Sequence, residues 1–286
     1  MKIYDCFTFY NEIDLLEIRL SELYNKVDHF VIVESNQTFT NKPKSWNFDP
    51  VRFAKYMDKI SYIQVEDMPS SSNPWVNEHH QRNAIMRGLA DADDNDVVIV
   101  SDVDELLRPE AIDCIRSSEE ILFALRMPLY NFKFNYMRTT PGEYDVWAMA
   151  ARRSVLETLL PNTLRDMRHQ FSHAPIGLIN KGCQLVEHAG WHFGYFGDRA
   201  HLVDKAQNFS HQEVNRPDFI EQIDVEASIR EGTSWERRNK NEHYAVVELN
   251  EYFPKTVIQN QERYKKWILD NPTSKALAIL PEYKYN

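Results

Sequence analysis

Glycine is scarce in this chain, with 8 among 286 residues, against a usual share of about 7%. No G-x-G-x-x-G and no G-x-x-x-x-G-K-[ST] occurs. The standard dinucleotide fingerprint and the P-loop are thereby excluded, because both use glycine to bring backbone close to phosphate. Cysteine is scarcer still. Cys6, Cys114 and Cys183 are odd in number, widely spaced and form no C-x-x-C, which argues against a disulfide scaffold or a thiolate zinc site. Basic charge is in deficit: Lys plus Arg is 33, Asp plus Glu is 43, and the net charge is −10. Such a chain suits neither nucleic acid nor an anionic membrane. Long apolar runs are missing too. The longest, Val146 to Ala151, is six residues, where a membrane-spanning helix needs about 20. Asp5, Asn11 and Glu12 interrupt any signal-peptide core. A cytoplasmic protein with no transmembrane segment is therefore expected.

Hydrophobic residues at 43% and charged residues at 27% describe an ordinary globular chain, long enough for a sizeable core. Residues 2–9 read as a strand. Ile13, Leu16, Leu20, Leu23 and Val27 recur on one helical face, with Asn11 placed to cap it. His29 to Ser35 reads as a buried strand, so the opening is strand, helix, strand, the signature of a parallel α/β sheet. Ile60 to Val65 predicts a third strand, Glu78 to Leu89 a helix, and Asp96 to Ser101 a central strand of four consecutive aliphatics. Pro109 opens another helix. Strands are expected over 121–136 and 144–151, and helices over 152–160 and 255–270. Five glycines (Gly177, Gly182, Gly190, Gly194, Gly197) crowd one segment, read as an irregular, tightly turned loop. The expected organisation is an α/β core over 1–198 with a helical extension over 199–286.

Ligands of open α/β sheets bind outside the carboxyl ends of the strands. Three polar clusters fall there: Thr8 to Glu12, Glu34 to Asn36, and Asp102 to Glu105. The third is the sharpest. Asp-Val-Asp-Glu directly after Val-Val-Ile-Val crowds carboxylates at a strand end, where they repel one another unless a cation is present. Mg²⁺ or Mn²⁺ resolves that conflict and takes phosphate oxygens as further ligands. The plainer alternative is a turn cap before the Pro109 helix.

Three stretches resemble glycosyltransferase family 17. The first runs Ile3-Tyr-Asp-Cys-Phe-Thr-Phe-Tyr-Asn-Glu to Leu23 and on through Val27 to Ser35, with Thr38-Phe39. The second is Glu78-His-His-Gln-Arg-Asn-Ala84 leading to Val100-Ser-Asp-Val-Asp-Glu105. The third is Ala189-Gly-Trp-His-Phe193. Together they cover about residues 1–212. Asn41 stands where the family pattern has a glycine, and no counterpart to the membrane anchor of animal members is expected. The resemblance implies a GT-A fold (a Rossmann-type, mostly parallel sheet flanked by helices), a UDP-N-acetylglucosamine donor, a divalent metal, inversion at the anomeric carbon and a glycan acceptor.

Under that reading Asp102, Asp104 and His192 are the expected metal ligands, Asp102 serving the ribose or the metal's water shell. His211 is a rival to His192. A zinc pair of His188 and His192 is disfavoured by Gly190 between them. Phe9, Asn11, Glu12, Glu34, Lys44, Arg82, Asp102 and Val103 are candidates for the nucleotide-sugar, with helix capping the alternative for Asn11 and Glu12. Glu187 and Asp145 are candidates for the base that inversion requires. Trp147 and Trp191 are candidates for stacking on sugar rings. Two rival classes remain: a sugar nucleotidyltransferase or metal phosphohydrolase, which would carry a glycine- and basic-rich phosphate loop, and a non-catalytic carbohydrate-binding protein.

Overall fold

The computed structural model describes residues 1–140, 145–171, 182–235 and 241–272. Among the described residues seven strands form the central sheet: β1 (Ile3–Thr8), β2 (His29–Ser35), β3 (Ile60–Val65), β4 (Val97–Asp102), β6 (Leu122–Met127), β8 (Asp145–Arg152) and β9 (Cys183–Val186), in the order β3-β2-β1-β4-β8-β6-β9. Two short ribbons flank it: β5 (Glu105–Leu107) with β10 (Gly190–His192), and β7 (Tyr136–Arg138) with β11 (Tyr244–Val246). The pairs β1·β2, β2·β3, β1·β4 and β6·β9 are parallel, and β8 runs against its neighbours β4 and β6. This is the GT-A-like, mostly parallel sheet that the sequence leads one to expect.

Alternation along the strands sends residues to two cores. Ile3 and Phe7 of β1 face α1 (Ile13–Leu23) and α3 (Pro109–Ser117), with Leu16, Leu20, Ile112 and Ile115 in the same cluster. Tyr4 and Cys6 face the opposite side, where Ala84, Ile85 and Leu164 pack. Helices on both faces explain why Val97 to Val100 are all fully buried. The chain passes from β1 to β2 on one side and returns to β4 on the other. The resulting crevice at the carboxyl ends of β1 and β4 is where ligands bind in such sheets.

Several elements differ from the sequence reading. Asn73 caps α2 (Pro74–Asn83) by accepting the Trp75 N–H, and Pro74 occupies the first turn, so this helix starts four residues before Glu78. The span 121–136 holds β6 and then a turn, and 152–160 forms only a 3-10 turn at Arg153–Glu157 before α4 (Pro161–Asp166). The span 255–270 breaks into α8 (Lys255–Gln259) and α9 (Gln261–Tyr264). Beyond residue 198 the elements include α5 (Arg199–Asn208), α6 (Pro217–Ile220), α7 (Val225–Glu231) and the strand β11.

The glycine-rich segment contains β9 and β10 rather than loop alone; Gly177 and Tyr144 lie outside the described residues. A Cβ at Gly190 would sit 1.8 Å from the Leu106 carbonyl oxygen. Glycine is thus required for β10 to lie against β5, and that pairing sets His192 opposite Glu105. Asn41 adopts φ 65°, the left-handed region that glycine and asparagine tolerate best. Among the described residues no helix is long and apolar enough to cross a membrane.

Candidate active site

A cavity of about 410 Å³ opens at the carboxyl ends of β1, β2 and β4. Thr8, Phe9 and Glu12 reach it from the end of β1, Asp102, Val103, Asp104 and Glu105 from the end of β4, and Trp147 and His192 from β8 and β10. Lys205 of α5 closes one side.

Arg19, fully buried on α1, braces this corner from below. It holds Asp5 through two hydrogen bonds of 2.8 and 2.5 Å and donates to the carbonyls of Asp102 (2.9 Å) and Glu105 (3.0 Å) and to Ser101 Oγ (2.6 Å). The turn carrying the carboxylates is thereby fixed to the sheet.

The carboxylates in the cavity differ in the partners that hold them. Asp102 Oδ1 accepts from Arg82 (2.9 Å) and Thr8 Oγ1 (3.0 Å), and Oδ2 accepts from Arg165 of α4 (2.9 Å). Burial raises the pKa of Asp102, but Arg82 and Arg165 outweigh it and hold the carboxyl well below its ordinary range. Glu105 accepts from the Asp102 N–H (3.0 Å) and from Arg165 (2.5 Å), yet burial lifts its pKa to about 7. Glu78 is bound by Arg82 and Ser210. Asp104 differs: Oδ2 accepts from Lys205 at 3.0 Å, and Oδ1 lies 3.9 Å from His192 Nε2. Glu12 Oε2 accepts the N–H groups of Tyr10 (3.1 Å) and Asn11 (3.0 Å), while Oε1 takes no hydrogen bond among the described residues. Burial raises its pKa.

Asp104, Glu105 and His192 each offer an atom within 4.8 Å of the others. Burial depresses the pKa of His192 to about 4, so its ring is neutral at pH 7 and can lend a lone pair. Its buried Nδ1 has no partner among the described residues. Two carboxylates and a neutral imidazole make a donor set that fits Mn²⁺, which accepts nitrogen beside oxygen, more closely than Mg²⁺, which favours oxygen.

The expected residues are not all gathered here. Phe9, Glu12, Lys44, Arg82, Asp102, Val103, Asp104, His192, His211 and Trp147 line the cavity. Glu34 is fully buried and absent from its wall, held by Lys44, the Asn47 and Phe48 N–H groups and the Tyr62 hydroxyl. Asn11 does not cap α1; its amide donates to Asp204 of α5 at 3.1 Å. Asp102 lies outside the Asp104–Glu105–His192 group. Glu187 is paired with Arg126 and Asp145 with Arg138, each at 2.8 Å, and neither lines the cavity, nor does Trp191, which lies under Arg108.

The sequence model for glycosyltransferase family 17 matches residues 1–270. The chain belongs to that family. It is 23% identical over 291 aligned positions to the beta-1,4-mannosyl-glycoprotein 4-beta-N-acetylglucosaminyltransferase of Homo sapiens, covering 92% of this chain and 54% of that protein. The Rattus norvegicus counterpart is 22% identical, with 92% and 53% covered. The chain thus spans about half the length of the curated relatives it matches. Among solved structures, galactosyltransferase LgtC aligns over 65% of this chain and 73% of its own at 11% identity and TM-score 0.34.

In this family-17 chain the cavity residues that sequence reasoning missed are Glu105 as a donor and Arg165, Arg168 and Lys205 as cations. Glu105 was legible, since it completes Asp-Val-Asp-Glu. The three cations carry no local motif. Arg168 lines the cavity with a pKa lowered to about 10 by burial and by Arg165, so it remains charged at pH 7.

His188 precedes β10 with φ 47°. Burial, Arg108 and Arg126 depress its pKa to about 4. The unfolded ring titrates near 6.5, so protons favour the unfolded chain between those values and stability falls as pH drops from about 6.5 to about 4. The loss attributable to His188 is up to about 3 kcal/mol. His188→Asn, which tolerates the positive φ, should lose correspondingly less between pH 7 and pH 4.5 in denaturant titrations. An unchanged pH slope would refute this.

Proposed function

We propose that this chain transfers N-acetylglucosamine, or a related sugar, from a UDP-sugar to a glycan hydroxyl with inversion, assisted by Mn²⁺ or Mg²⁺. The observation that carries the reading is the cavity at the β1–β4 crevice of a family-17 chain, with Asp104, Glu105 and His192 on its wall. The names of the relatives support the choice of sugar.

Asp104, Glu105 and His192 would hold the cation, which when bound supplies Lewis-acid stabilisation of the departing diphosphate. Arg168 adds positive charge on the same wall. Phe9, Phe39 and Trp75, with Ser35 and Thr38, line another part of the cavity, an aromatic and hydroxyl-bearing surface suited to a nucleoside. Asp102 is bound between two arginines and serves to hold α2 and α4 against the turn.

Inversion needs a carboxylate able to accept the acceptor's hydroxyl proton. The Arg-paired Glu187 and Asp145 lie off the cavity. Of the carboxylates on its wall, Asp102, Glu105 and Glu78 use both oxygens on cations or hydrogen-bond donors. Glu12 keeps Oε1 uncommitted and is anchored through Oε2, and its raised pKa makes it the better base. We therefore assign proton abstraction to Glu12.

The test is transfer from UDP-N-acetylglucosamine with Mn²⁺ to a panel of glycans. Glu12→Gln keeps the shape and loses the base, and should lower kcat by about 10²–10⁴ with little change in donor KM. A variant within threefold of wild type would move the base elsewhere. No UDP-sugar consumption by the wild-type chain with any acceptor would sink the reading as a whole.

A further inference from the structure

We propose that Lys205 is an internal counter-cation of the metal site: it neutralises Asp104 and Glu12 in the absence of a divalent cation, gives up Asp104 when one binds, and turns its ammonium to the donor's diphosphate. The inference rests on the sugar-transfer reading above.

Charge placement singles out Lys205. Asp102 and Glu105 have Arg82 and Arg165, rigid guanidiniums with further fixed partners. Asp104 pairs with Lys205, a mobile point charge on a four-carbon stem. Burial opposes the lysine's charge, but Asp104 and Glu12 more than offset it and raise its pKa. An ammonium 3.0 Å from Asp104 Oδ2 and a divalent ion drawing on the same carboxylate repel each other strongly at such range. Full occupancy of both positions is therefore disfavoured, and because Arg165 on Glu105 is also fixed to Asp102, Lys205 is the cation that yields.

Lys205 also has room to yield. The Lys205 side chain is one-third exposed and stands in the wall between the main cavity and a second one of about 200 Å³. Glu12, Asp14 and Asp204 line that second cavity, so an ammonium moving off Asp104 stays among carboxylates. The Tyr195 ring, 5.3 Å from Nζ, faces the main cavity and offers a second resting surface.

The helix that carries Lys205 is anchored. Asp198 caps α5 through the Ala200 and His201 N–H groups, and Asp204 ties the helix to Asn11 and to the Tyr10 hydroxyl. The helix holds still while the lysine side chain moves.

The experiment measures Mn²⁺ binding by electron paramagnetic resonance, without nucleotide, and then UDP binding with Mn²⁺ by calorimetry. Lys205→Met should bind Mn²⁺ roughly tenfold more tightly and UDP roughly tenfold more weakly, as expected for removing one nearby positive charge from a partly screened site. Lys205→Arg keeps the charge and should bind Mn²⁺ no more tightly than wild type does. Unchanged or weaker Mn²⁺ binding by a folded Lys205→Met overturns the proposal. A second readout uses the wild-type chain: reductively ¹³C-methylated Lys205, assigned by its absence in Lys205→Arg, should shift its NMR signal on adding Mg²⁺, and a signal that stays put also overturns it. Wild-type protein that binds neither Mn²⁺ nor UDP fails the sugar-transfer reading itself, and this inference with it. Wild-type binding of both, with Mn²⁺ affinity indifferent to residue 205, fails the lysine's role alone.

Discussion

Asp104→Ala is expected to lower sugar transfer by at least about 10³-fold, because Lewis-acid stabilisation of a departing oxyanion supplies several kcal/mol and each ~1.4 kcal/mol is a factor of ten in rate. The substitution removes the donor that faces both His192 and Lys205. The fold should survive it. The Asp104 carbonyl still accepts the Phe193 N–H at 2.8 Å, and the turn remains fixed by Arg19. Initial rates with UDP-N-acetylglucosamine and Mn²⁺, alongside thermal unfolding, check the two halves separately. Turnover within tenfold of wild type would remove Asp104 from the chemistry. Asp104→Asn sharpens the comparison: it keeps the shape, loses the charge, and should be nearly as inactive.

Arg19→Met is expected to give the largest loss of stability, about 3–5 kcal/mol, the usual cost of leaving one member of a buried ion pair alone. Arg19 and Asp5 are both fully buried, so water cannot replace the lost partner. Total stabilities of about 5–15 kcal/mol put such a variant near the edge of folding. Urea titration of Arg19→Met, Asp5→Leu and the double variant provides the measurement. The double variant should recover much of the stability, since no stranded charge remains. It should not recover activity, because the carbonyls of Asp102 and Glu105 still lack the guanidinium that positions the turn. Arg19→Met within about 1 kcal/mol of wild type would mean the pair is not the brace it is read to be. Full activity in the stable double variant would show that the turn holds itself.

Much of the architecture was legible in the chain. The aliphatic run Val97 to Val100 is buried on both faces, and the helical spacing from Ile13 to Val27 became α1 as far as Leu23. Elements failed where the deciding interaction was distant. Lys255 to Asp270 looks like one helix, but Asn260 breaks it at φ −128°, and Tyr264 and Trp267 are drawn into a cluster with Leu15 and Phe134. The glycine-rich segment reads as loop because β9 and β10 are too short for periodicity, and each exists through a partner far away in sequence, β6 and β5.

The same division runs through the site. Local order placed Asp102, Asp104 and Glu105 at the carboxyl end of a buried strand, since a run of aliphatics followed by acids can end nowhere else in a doubly covered sheet. It also placed Glu12 at the turn after β1. Tertiary structure decided what each carboxylate does. Arg165 and Lys205 reach Asp102 and Asp104 from 63 and 101 residues away, while Arg126 and Arg138 claim Glu187 and Asp145. Backbone pattern follows from neighbours a few residues apart. The state of a buried charge follows from whichever opposite charge the folded chain returns to its side, and no window of sequence contains both.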